Sequence, residues 1–176
     1  MTVDVEVLRA AVSQERPPFV LNKIGHVVLR VSDLARSIEF YTGVLGFDRI
    51  QRLGDHAAFI SAGGYHHHIG LNTWQSRRGS PAPPHHTGLY HFAIRYPTRR
   101  DLARAVRRVL SAGVPLHGVA DHGVSESIYL SDPDGNGIEL TYDRPEAEWP
   151  RDAACNIALS MADPLDLEAL LGEDSD

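Results

Sequence analysis

Ile24-Gly25-His26-Val27-Val28-Leu29-Arg30-Val31 is an apolar, β-branched run, and Leu89-Tyr90-His91-Phe92-Ala93-Ile94-Arg95 is a second of the same kind. Both carry the composition of a strand, and each places a histidine near its start. Each run leads into a helix signal. After the first, Ser32 and Asp33 can cap a helix whose apolar positions Leu34, Ile38, Tyr41 and Leu45 recur at helical spacing, with Gly43 and Gly46 marking its end. After the second, Thr98 can cap the set Leu102, Ala105, Val106 and Val109, which stops at Ser111-Ala112-Gly113. The helix starts match in letters, Asp33-Leu34-Ala35-Arg36 against Asp101-Leu102-Ala103-Arg104, and this match implies three extra loop residues in the second copy. The chain is thus written twice, and a repeat governs every later inference.

Each copy closes with two or three strands. Ala57 to Ser61 turns through Ala62-Gly63-Gly64 into His66 to Trp74, and Ser127 to Ser131 turns through Asp132-Pro133-Asp134-Gly135-Asn136 into Gly137 to Tyr142. The expected fold is α+β, with two tandem βαβββ modules at 24–75 and 88–143 joined by a Pro, Ser, Arg and Gly-rich linker at 76–87. Residues 1–23 and 144–176 flank this single domain. The acidic tail from Asp163 has Leu165, Leu167, Leu170 and Leu171 at the spacing of a short helix.

The bulk numbers narrow the function. The chain has 176 residues, 43% of them hydrophobic and 23% charged, which suits one domain with a real core. A formal net charge of −6 argues against a nucleic-acid partner, which needs cations facing phosphates. The one cationic run, Arg99, Arg100, Arg104, Arg107 and Arg108, has the spacing of a solvated helix face. A lone cysteine, Cys155, forbids an internal disulfide and fits a reducing compartment. With no basic start before an apolar run and no membrane-length apolar stretch, a cytoplasmic protein without a membrane partner is expected.

Ten histidines are the unusual count, three of them consecutive at His66, His67 and His68. His26 and His91 fall at matching places in the two copies, where pseudo-symmetric packing would bring them together. Glu139, in Gly137-Ile138-Glu139-Leu140, lies in an apolar strand where a carboxylate needs a partner to offset desolvation. A metal ion held by His26, His91 and Glu139 is such a partner. Ile138-Glu139-Leu140 aligns with Ile69-Gly70-Leu71, so the repeat partner of Glu139 is Gly70 and the fourth corner of the site stands open. Two histidines and one carboxylate with open positions is the arrangement of non-haem Fe(II) oxygenases.

These residues resemble the vicinal oxygen chelate superfamily and, within it, the extradiol catechol dioxygenases. The resemblance covers residues 24–145. Its specific part is His122-Gly123-Val124, then Ser127-Ile128-Tyr129-Leu130, then the Asp132-Pro133-Asp134-Gly135-Asn136 turn, then Glu139. It implies that His122 and Tyr129 stand beside the metal without binding it. It also implies an acid–base histidine on the last strand of the first module. His67 matches that family pattern, whereas strand alternation puts His68 on the face of Gly70, so His68 is the alternate. His66 is expected to face solvent.

The resemblance implies a catechol-type aromatic diol and O₂ as substrates and Fe(II) as the metal, with Mn(II), Ni(II) or Zn(II) as other occupants. Many ring-cleaving enzymes have four such modules. With two, this chain is expected to complete its pocket as a homodimer. The rival readings are a glyoxalase-type isomerase or lyase, which expects a carboxylate at Gly70, and a binding protein without chemistry, which usually lacks the metal ligands. Fold alone does not choose among them.

Overall fold

A computed structural model describes residues 23–173 apart from Pro84 and Ala162, so the N-terminal extension up to residue 22 lies outside the described residues. In the first copy, β1 (Val27–Arg30) leads into α1 (Leu34–Glu39), which continues as a π-helical turn (Phe40–Val44). β2 (Asp48–Leu53), β3 (Ala57–Ser61) and β4 (Ile69–Asn72) follow. The second copy runs β5 (Phe92–Tyr96), α2 (Arg99–Ser111), β6 (Gly118–Asp121), β7 (Ser125–Ser131) and β8 (Gly137–Asp143). A short helix, α3 (Leu167–Gly172), ends the described chain.

The two sheets have the same order, β1-β4-β3-β2 and β5-β8-β7-β6, with the first pair in each parallel and the others antiparallel. Registers match as well: Val27 lies opposite Ile69, and Phe92 opposite Ile138. Because side chains alternate along a strand, each sheet has a core face and an open face. Leu29, Ile60, Ile69 and Leu71 of the first sheet join Ile128, Leu130, Ile138 and Leu140 of the second in one apolar cluster beneath the helices. Across the open faces run two equivalent rows, Val28–Gly70–Phe59–Gln51 and Ala93–Glu139–Tyr129–Gly118.

The letter match at the helix starts does not survive. Asp33 caps α1, its carboxylate accepting from the amides of Ala35 and Arg36. Thr98 caps α2 by accepting from the Asp101 amide, so Asp101 lies inside the first turn. Counted from His26 to Asp33 and from His91 to Thr98, the two caps are in register, and the second copy has no longer loop. Its helix simply starts earlier than the lettering suggests.

The Asp-Pro-Asp-Gly-Asn turn between β7 and β8 docks one module on the other. Asp132 accepts from the amides of Asp134 and Asn136 and, across the module boundary, from the Tyr41 hydroxyl at 3.0 Å. Burial, with Asp132 beside it, pushes the Tyr41 phenol far above its ordinary range. Asp134 takes the Ser32 amide at 3.0 Å and the Arg36 guanidinium at 2.6 Å. The arginine run is not only a solvated face. Arg108 donates to the Gly43 and Val44 carbonyls at the end of the first helical segment, and Arg99 bridges Glu126 at 2.7 Å and Glu173 at 2.6 Å. Glu173 follows α3, whose Leu170 is buried, as the leucine spacing of the tail anticipated.

This docking holds the modules by their helices and turns. Among the described residues no pairing joins the two sheets, and β1 and β5 each sit at a sheet edge. Among the described residues no helix is long and apolar enough to cross a membrane.

Candidate active site

One polar cluster lies on the open face of the second sheet. His91, just before β5, and Glu139 of β8 face each other, with Nε2 to Oε2 at 3.1 Å. The other carboxylate oxygen of Glu139 accepts from the Ser127 hydroxyl at 2.5 Å and lies 3.3 Å from the Tyr129 hydroxyl. Tyr129 is 2.8 Å from Nε2 of His122, whose Nδ1 is 2.8 Å from the Ser160 carbonyl. Glu139 is thereby fixed on one oxygen and open toward His91 on the other. Desolvation, with Glu139 beside it, raises the Tyr129 phenol above its ordinary value and keeps it protonated.

The second cluster lies at the other sheet. His26, just before β1, lies tilted against His67 with ring centroids 4.5 Å apart, and His67 lies edge-on to Phe59 at 5.1 Å. Phe59 is the repeat partner of Tyr129, since it lies opposite Gly70 as Tyr129 lies opposite Glu139. Nδ1 of His66 is 2.7 Å from Nδ1 of His67, while His66 itself is exposed. His68 is held back by Ser61, its Nδ1 2.9 Å from the hydroxyl. Desolvation first, then the neighbouring His26, His66 and His68, lowers the His67 imidazole below its ordinary value.

His91, Glu139, Tyr129 and His122 are therefore gathered, and His26 and His67 are gathered, but the two sets stand apart. Among the described residues no group of three His, Cys, Asp or Glu side chains is close enough to hold a metal. The expected meeting of His26 with His91 near an internal axis does not occur, because the helix-side docking leaves the open faces unpaired. The donors present nonetheless fit a borderline divalent ion: an imidazole nitrogen and a carboxylate oxygen aim at one point, and the carboxylate is oriented from behind. Sequence reasoning missed Ser127, although it shares strand parity with Tyr129. It also missed Ser160, which no local pattern marks.

The family model described as "Glyoxalase/Bleomycin resistance protein/Dioxygenase superfamily" matches residues 23–140. A catechol-2,3-dioxygenase of Bacillus subtilis is 40% identical over 87% of this chain and 52% of its own length. A biphenyl-2,3-diol 1,2-dioxygenase of Rhodococcus globerulus is 31% identical over 69% of this chain and 63% of its own. The chain thus spans about half to under two thirds of the length of these relatives. A solved glyoxalase/dioxygenase from Nostoc punctiforme has the same fold, with a TM-score of 0.61 at 22% identity over 76% of this chain and 99% of its own.

Proposed function

The chain belongs to the glyoxalase/bleomycin resistance protein/dioxygenase superfamily, and on that premise we propose that it is an extradiol dioxygenase cleaving a catechol-type ring, with its active site completed in a homodimer. The observation that carries this reading is the pairing of His91 with Glu139 in front of Tyr129 and His122, on the open face of the second sheet. The missing members, His26 and His67, lie together beside the other sheet.

A second copy is the occupant that makes both faces whole. The two edge strands are bordered by exposed apolar side chains, with Ile24 at 85% and Val28 at 54% by β1, and Leu89 at 60% and Tyr90 at 89% by β5. Unpaired, apolar strand edges are liabilities that a two-fold partner removes. Placing β1 of one protomer by β5 of the other would set His26 of the partner subunit beside His91 and Glu139, twice per dimer.

His26, His91 and Glu139 would then hold one divalent ion, with Fe(II) favoured by the two-histidine, one-carboxylate set and Mn(II), Ni(II) or Zn(II) as competitors. When bound, the ion supplies chelation of both diol oxygens and a conduit for electrons to O₂. The protein residues do the rest. His67, neutral near pH 7 because its affinity for protons is lowered, takes a proton from a catechol hydroxyl and later returns one. Tyr129 stays protonated and lies against the substrate oxygen, and His122 behind it exchanges that proton as charge develops. Ser127 keeps Glu139 aimed. The balanced outcome is both atoms of O₂ in an open-chain semialdehyde.

The test is anaerobic reconstitution with Fe(II), then a panel of catechols with O₂. Yellow semialdehyde absorbance supports the reading. No cleavage with Fe(II), but isomerisation of thiol–aldehyde adducts with Ni(II), replaces it with the glyoxalase-type alternative.

A further inference from the structure

The segment after β8 returns along the β6 edge of the second sheet and reaches His122. Arg144 anchors its start, donating to both carboxylate oxygens of Asp121, to Glu126 at 3.0 Å and to the Gly123 carbonyl at 3.0 Å. The far end pairs with Asp121: the amide of each of Asp121 and Asp163 donates to the other's carbonyl, at 2.9 and 3.1 Å. Between these anchors the Ser160 amide donates to the His122 carbonyl at 3.1 Å, and the Ser160 carbonyl faces Nδ1 of the same ring at 2.8 Å. The segment lies beyond the part of the chain that the family model matches.

We propose that this strap is a positioning element that holds His122 as the Nδ1–H tautomer and so makes its Nε2 the acceptor of the Tyr129 hydroxyl proton. The argument is one of donors and acceptors. A carbonyl only accepts, so the 2.8 Å contact to Ser160 requires the proton on Nδ1. In the neutral ring Nε2 is then a lone pair, and the hydroxyl 2.8 Å away must donate to it. A free histidine side chain prefers the opposite tautomer, so the strap imposes the minority form. It also directs the single Tyr129 proton toward His122 and away from Glu139, whose outer oxygen keeps the bond from Ser127.

Gly123 supplies a second, independent mark of the strap's fit. Its φ is +77°, and a Cβ there would stand 2.8 Å from Cγ of Pro150 and 3.9 Å from the Ala158 carbonyl. The residue after His122 is thus glycine because the strap crosses directly over it.

The consequence for turnover rests on the dioxygenase reading, but the tautomer does not, so the test reads the tautomer first. Long-range ¹H–¹⁵N correlation on histidine-labelled, metal-free, full-length chain at alkaline pH reports the state of each ring, with His122→Asn assigning the signal. The wild type should show a protonated Nδ1 and a bare Nε2 at His122. Gly123→Ala, which pushes Pro150 away, and Ser160→Pro, which removes the amide bond to the His122 carbonyl, should each shift that ring toward Nε2–H. With catechol as substrate both variants should lose about tenfold or more in kcat while KM holds. A wild-type His122 protonated on Nε2, or Nδ1–H unchanged in both variants, overturns the proposal. Failure of the wild type to cleave catechols would count against the dioxygenase reading alone.

Discussion

Gly70 and Glu139 stand at the same place in two like sheets: Gly70 lies between Val28 and Phe59, and Glu139 between Ala93 and Tyr129. One copy of the repeat has kept a carboxylate and a phenol on its open face, and the other has a glycine and a phenyl ring. The two faces thus carry different groups at equivalent places.

Replacing Gly70→Glu should retain metal while abolishing catechol cleavage, because a fourth protein ligand fills a position the substrate needs. A Cβ at Gly70 would sit 3.3 Å from Val28 Cγ2 and 3.6 Å from Phe59 Cε1, so crowding should cost about 1–3 kcal/mol of stability. Metal content by elemental analysis and cleavage by absorbance separate the two effects. Cleavage equal to the wild type would show that the open corner is not needed.

His67→Ala should fail differently. Metal and catechol binding should persist while turnover falls by ~10²–10⁴-fold, the scale of a lost acid–base group. His68→Ala should cost less, since His68 is occupied by Ser61. Single-turnover rates beside KM decide the assignment, and a larger loss at His68 would reverse it.

Tyr41→Phe removes a hydrogen bond on a fully buried ring and should lower unfolding stability by about 1–3 kcal/mol. Asp132→Ala should cost more, because it orphans the Tyr41 hydroxyl and strips the turn of its acceptor for Asp134 and Asn136. Denaturant midpoints at equal slope measure both. Equal stabilities would show that the turn does not hold the modules together.

Sedimentation should give a particle of about twice the 19.4 kDa chain mass. Val28→Asp, which sets a charge on the exposed edge of β1, should yield a folded monomer without cleavage activity. A wild-type monomer at micromolar concentration would remove the basis for a shared site.

Much of this was legible in the sequence. The alignment of Ile69-Gly70-Leu71 with Ile138-Glu139-Leu140 reappears in the sheet registers, because period-two patterning fixes which residues oppose one another. The first helix signal, Leu34 to Leu45, formed as an α-helix only over Leu34–Glu39 and continues as a π-helical turn over Phe40–Val44. β2 was not legible, since Asp48-Arg49-Ile50-Gln51-Arg52-Leu53 is exposed throughout and has no alternation to read. Asp101 misled because identical letters can occupy a cap in one helix and the first turn in another. The separation of His26 from His91 was hidden for a deeper reason. It is set by long-range polar docking, such as Asp134 on Ser32 and Arg36, and no local pattern encodes such a contact.

Subunit complementation tests the shared site most directly. His26→Ala and Glu139→Ala chains should each be inactive when pure, because every site in either homodimer lacks one ligand. Mixed, unfolded and refolded together with Fe(II), they should regain about a quarter of wild-type cleavage: half of the dimers are mixed, and each of those has one whole site. Activity that stays at background across all mixing ratios, with mixed dimers present, would contradict a site built from two chains.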